Sequence, residues 1–239
     1  MTLPRFLDAG ETALVVEFGQ GIDPAVNARV LALDAALGRM APAGMLERVP
    51  TYRSLMVHYD PLILPREGLI ADVNSCLNAP PPPQIPRKHW TLPACYDPAF
   101  APDLDHIAEA TSLTPTGIIA AHASARYPVY MYGFAPGWAY LGGLPPALTL
   151  PRRTSPRAQI PSGSLIIAGG QAIVATMAMP SGWHILGRTP ERLFRPDRAE
   201  AFLIAVGDVL SFDPVDRAAF DALEQRAEAG ETLARSVPL

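Results

Sequence analysis

The apolar positions fall into two regimes along the chain. Behind Asp23-Pro24, the residues Val26, Val30, Leu33 and Leu37 recur at helical spacing, so the pattern predicts a helix with Asp23 as N-cap and Pro24 in its first turn. Leu69, Ile70, Val73 and Leu77 predict a second helix over 67–77. Short β-rich runs at 13–18, 45–49 and 54–59 complete a β-α-β-β-α order, which lacks one strand of a split βαβ, ferredoxin-like α+β unit. From residue 129 onward the pattern changes. Runs at 129–134, 165–168, 172–176, 184–186, 202–206 and 209–212, punctuated by Gly and Pro, predict a mainly-β barrel or sandwich, with Gly207-Asp208 as a hairpin turn. Short helices are expected at 104–110 and, capped by Thr114-Pro115, through Ile118, Ile119 and His122; a last helix is expected to open at Pro214 and end at Gly230.

Proline makes up 27 of the 239 residues and is spread rather than repeated, which predicts many stiff turns. Four consecutive prolines fall between Asn78 and Pro86, where neither a helix nor an inner strand can form. This stiff spacer sets the expected division: 1–79 as one domain, 80–88 as a linker, 89–239 as the second. The apolar run at 89–94 is compatible either with closing the first sheet or with opening the second domain.

Charge and composition remove several classes of function. A net charge of −4 without a basic stripe argues against a nucleic-acid groove. No apolar run is long enough to predict a membrane span, and the acidic start of the chain does not resemble an export signal, so the cytoplasm is the expected compartment. Cys76 and Cys95 fit neither a disulfide framework nor a zinc pattern, and no metal site is predicted. Lys88 is the sole lysine, in an Arg-Lys-His run. A P-loop, a Schiff-base lysine and a biotin-carrying lysine are therefore not expected.

The densest chemistry lies between Tyr130 and Pro190, where Gly- and Pro-rich loops carry aromatic rings and guanidinium groups. Such loops can pre-organise a pocket before its ligand arrives. Arg152, Arg153, Arg157 and Arg188 are candidate anion-binding residues, since a guanidinium fork matches carboxylate or phosphate; the alternative is that they serve backbone carbonyls and neighbouring acids. Tyr132, Trp138, Tyr140 and Trp183 are the candidate ring walls. His122 reads either as a core histidine or as a general base facing the loops. Gln171 reads either as a turn residue or as a hydrogen-bond partner for an amide or lactam. No serine sits in a nucleophile-elbow context, so a self-contained serine hydrolase is not expected.

These loops, together with Val49-Pro50-Thr51-Tyr52-Arg53-Ser54-Leu55 and with His122 ahead of the Tyr-Met-Tyr-Gly-Phe run, resemble the KipI family. That family is also called allophanate hydrolase subunit 1, carboxyltransferase subdomain A or the PxpB component of 5-oxoprolinase. The resemblance implies a ferredoxin-like N-terminal domain and a cyclophilin-like barrel. It also implies a KipA/PxpC-type partner and, in some assemblies, a LamB/YcsF-type third subunit. The implied reaction is ATP-dependent opening of 5-oxoproline to glutamate, with ATP bound by the complex and no biotin on this chain; on this reading His122 and Gln171 are expected near the reacting centre. The alternatives it implies are carboxyl transfer to urea or a related small amide, and inhibition of a sensor histidine kinase. One stretch departs from the family pattern: Gln171 is followed by Ala172-Ile173-Val174-Ala175-Thr176 rather than Thr-Gly-Ile-Tyr-Pro, which favours a paralogue with another small amide substrate.

Overall fold

The structure, a computed structural model, describes residues 3–80 and 86–239. It divides into two compact units, Met1–Ile85 and Pro86–Leu239. The central part of the expected proline spacer, 81–85, lies outside the described residues.

In the first unit, β1 (Arg5–Asp8), β2 (Ala13–Glu17), α1 (Pro24–Met40), β3 (Met45–Pro50), β4 (Ser54–Tyr59) and α2 (Arg66–Asn78) follow in order. The sheet is antiparallel in the order β1-β2-β4-β3. The Asp23 carboxylate accepts from the N–H of Ala25 at 2.7 Å and of Val26 at 3.4 Å, satisfying donors that the first turn of α1 leaves without helical partners. Val30, Leu33 and Leu37 of α1, with Leu69 and Val73 of α2, are buried against Leu14, Val16, Leu55 and Val57 of the sheet. Each such burial stabilises by roughly 1.5–3 kcal/mol. A further strand that the sequence pattern did not predict, β1, precedes β2 and pairs with it.

The second unit contains β5 (Lys88–Cys95), α3 (Leu104–Thr111), α4 (Pro115–Ser124), β6 (Tyr127–Tyr132), β7 (Ala139–Leu141), β8 (Arg157–Ile160), β9 (Ser164–Ala168), β10 (Gln171–Val174), β11 (Met179–Ser181), β12 (His184–Arg188), β13 (Val209–Val215), α5 (Arg217–Glu228) and β14 (Arg235–Pro238). Strands run in the order β12-β9-β10-β7-β6-β13-β5, and Arg188 of β12 pairs with Cys95 of β5 to close a seven-stranded barrel. β14 adds to the other end of β5, while β8 and β11 form a separate ribbon. Because β5 pairs with β13, β12 and β14, the run at 89–94 belongs to the barrel.

The barrel carries apolar residues on both faces. Leu165 and Ile167 of β9 join the interior with Leu92, Tyr127, Val129 and Leu210. Ile166 and Ala168 face the other way, into an outer cluster with Trp138, Ile173, Trp183 and Ile185. Successive strand residues alternate in direction, so burial on both sides produces the unbroken apolar run of β9.

Three expectations are corrected. The 202–206 run is not a strand: Phe202 makes an isolated bridge to Phe194. Gly207-Asp208 turns the chain into β13 rather than joining a hairpin, because the buried Asp208 carboxylate is committed to the N–H groups of Lys88, Ala205 and the Trp90 indole at 2.8–2.9 Å. Pro214 lies inside β13, and α5 begins at Arg217 with Asp216 as its cap, accepting from the Ala219 N–H at 2.8 Å. Among the described residues no helix is long and apolar enough to cross a membrane.

Candidate functional site

The residues 133–138 join β6 to β7 in a tight loop. Gly133 N–H donates to Trp138 O at 3.1 Å and Trp138 N–H to Ala135 O at 3.0 Å. Thr176 Oγ1 donates to Pro136 O at 2.7 Å and ties the loop to the segment after β10. Gly137 has φ +69°, and a Cβ there would stand 2.6 Å from Phe194 Cβ, so glycine is required by both conformation and space. Phe134 adopts φ 72° without being glycine and leaves its ring 72% exposed. Held strain in an exposed aromatic is a feature of ligand sites.

Against this loop, on the outer face of the barrel, lies a cleft of 220 Å³ walled by Phe134, Trp138, Tyr140 and Trp183, with Arg152 and Ile173 also lining it. Trp138 packs edge-on to Phe134 and Tyr140 edge-on to Trp183. The Arg152 guanidinium stands 5.9 Å from the centroid of the Trp183 ring. Among the described residues Arg152 has no carboxylate partner. The buried Trp138 Nε1 likewise has no acceptor there. The Ser181 hydroxyl is occupied by the Trp183 N–H at 3.2 Å. The cleft thus offers flat apolar walls and one open guanidinium, a combination suited to a small planar molecule bearing a negative charge.

The other three arginines are not brought to this cleft. Arg153 donates to Asp103 Oδ1 at 2.6 Å, and Arg157 grips both Asp103 oxygens at 2.7 and 2.8 Å. Asp103 is buried and also accepts from the Ile185 N–H at 2.7 Å. Burial pushes the Asp103 carboxyl upward, but the Arg157 fork, the Ile185 N–H and the charges of Arg157 and Arg153 outweigh it and hold the group below the usual carboxylate range. Arg188 donates to Ser162 O at 3.0 Å, pairs with Glu224 of α5 at 2.8 Å and lies over the rings of Phe100 and Phe220. Arg157 and Arg188 are therefore braces of the fold.

Of the two readings of His122, the structure favours the core histidine. Its ring is 1% exposed, stacks on Phe212 and shares a hydrogen bond at 2.8 Å between Nδ1 and the Tyr96 hydroxyl. Burial pushes its pKa down to about 3, so it is a neutral core residue rather than a base facing the loops. Gln171 opens β10 opposite Ala168, two residues before Ile173, and lines none of the described clefts. Tyr132 does not line this cleft: its ring meets Phe202, with which it lines another hollow beside the 133–137 segment, and its hydroxyl donates to Ile204 O. Sequence reasoning missed Phe134 and Asp103. A signal for the latter was present: no Asp or Glu occurs from Ala110 to Pro190, so arginines in that stretch need a distant acid or a ligand.

Comparison with known proteins gives the class to which this chain belongs. Residues 4–204 match the carboxyltransferase domain, subdomain C and D, and the chain belongs to that family. The B-type 5-oxoprolinase subunit of Bacillus subtilis is 34% identical over 91% of this chain and 95% of its own length. The solved structure of TTHA0988 superposes with a TM-score of 0.76 at 33% identity, covering 85% of this chain and 40% of that one. Kluyveromyces lactis urea carboxylase shares the fold, with a TM-score of 0.79 at 16% identity over 99% of this chain and 24% of that one.

Proposed function

We propose that this chain is a subunit of a 5-oxoprolinase-type enzyme, which opens 5-oxoproline to glutamate at the expense of ATP with a KipA/PxpC-type partner, in the cytoplasm. The observation that carries the reading is Arg152, a guanidinium without a carboxylate partner among the described residues, beside the ring walls of Trp138, Tyr140 and Trp183. In this reading the substrate carboxylate docks on Arg152 and its flat lactam ring lies against the indoles. None of the lining side chains forms a nucleophile–base pair. The reacting groups are assigned to the partner, with ATP bound by the assembly and a LamB/YcsF-type protein as a third component. His122, deep in the core, acts only by shaping the barrel. The first unit is read as ferredoxin-like, its sheet completed by β1.

A second reading, carboxyl transfer to urea or another small amide, is favoured by one observation: Ile173, from the stretch that departs from the family pattern, lines the cleft. Co-expression with a KipA/PxpC-type and a LamB/YcsF-type protein separates the two. ATP-dependent release of glutamate from 5-oxoproline supports the first reading. Turnover with urea and carboxybiotin, and none with 5-oxoproline, would replace it with the second.

A further inference from the structure

A second cleft, of 430 Å³, opens on the other side of Arg152, lined by His106, Arg153, Thr154, Ser155 and His184 as well as by Arg152 itself. We propose that it binds a phosphate-class oxyanion, either free phosphate or the terminal phosphate of a nucleotide. Its polar lining is made of guanidinium, imidazole and hydroxyl groups, and no carboxylate lines it. Asp103 stands behind Arg153, saturated by its two arginines and the Ile185 N–H.

The donors are held in place before any ligand arrives. Arg153 is fixed by Asp103 at 2.6 Å and by Ser155 O at 3.3 Å through Nη1 and Nε, which leaves its Nη2 donors uncommitted. His184 is 3% exposed; its Nε2 faces Pro151 O at 2.9 Å, and Nδ1 has no partner among the described residues. Because Nε2 donates to that carbonyl, the neutral ring leaves Nδ1 as an acceptor, so His184 walls the cleft rather than donating to a ligand. His106 stacks on His184 with ring centroids 5.2 Å apart and is itself exposed. Two guanidiniums, the His106 imidazole and two hydroxyls outnumber what a planar carboxylate can accept, whereas a tetrahedral oxyanion offers acceptors in several directions.

This site stands on the second cleft alone and does not require 5-oxoproline to be the substrate. Because Arg152 is shared, the test uses residues that line only this cleft and are exposed: His106, Thr154 and Ser155. The full chain is titrated with inorganic phosphate at low ionic strength, by calorimetry and phosphorus NMR, with acetate as the carboxylate control. Saturable one-site binding is expected, with acetate at least about tenfold weaker and the triple variant His106→Ala, Thr154→Val, Ser155→Ala at least about tenfold weaker for phosphate. A parallel titration with ATP and ADP assigns the source: competition with phosphate points to a nucleotide, and its absence to free phosphate. Failure of phosphate to saturate, acetate binding as tightly as phosphate, or a folded triple variant that binds as wild type would overturn the site. Loss of 5-oxoproline turnover in the complex would leave it standing.

Discussion

Arg152 and Arg153 are adjacent in the chain and have opposite environments. Arg153 is tied to the buried Asp103, whereas Arg152 has no acid partner among the described residues. The difference was not legible in the sequence, where both sit in the same Pro-Arg-Arg-Thr run, because Asp103 approaches from a segment about fifty residues away. The aromatic walls were more legible, since Trp138 and Trp183 stand in Gly-containing loops and Tyr140 on the adjoining β7, and all three line one cleft. The two kinds of arginine separate by experiment. Arg157→Ala removes the two-pronged partner of a buried carboxylate and lowers stability by on the order of 3 kcal/mol, read as a fall in Tm and denaturant midpoint. Arg152→Ala leaves Tm near wild type and weakens a carboxylate ligand by at least about tenfold in a direct binding assay.

At the scale of elements, the clearest sequence signals were local ones. Asp23-Pro24 and Thr114-Pro115 start helices where the capping chemistry placed them. What failed depended on distant partners. The 202–206 run has strand composition, but Asp208 binds N–H groups on β5 and at Ala205 and turns the chain away. The short β1 carries too little pattern to stand out and owes its structure to pairing with β2. α4 delivers His122 into the core, with a consequence for acid stability. The unfolded chain takes up a proton at that histidine near pH 6.5, the folded protein only near 3. Between those values the unfolded state binds the extra proton, so stability present above pH 6.5 falls by about 1.4 kcal/mol per pH unit on acidification. Denaturant melts should show this slope, and it should flatten in a folded His122→Gln variant. The 133–138 loop has its own test: Gly137→Ala drives a Cβ into Phe194 at positive φ and should lower Tm and loosen the cleft, seen as a red shift of tryptophan emission.

At the scale of the whole molecule, the chain belongs to the carboxyltransferase C and D family, and its barrel buries a second apolar cluster on the outer face beside the proposed site. In the proposed division of labour, a cleft with ring walls and one open guanidinium would recognise the ligand and the partner would supply the nucleophile. The most direct test is ATP-dependent glutamate release from 5-oxoproline by the co-purified complex carrying wild-type chain, Arg152→Ala or Trp138→Phe. The account predicts turnover with wild type, a loss of about a hundredfold in kcat/KM for Arg152→Ala and a smaller loss for Trp138→Phe. Wild-type rates in both variants would contradict it.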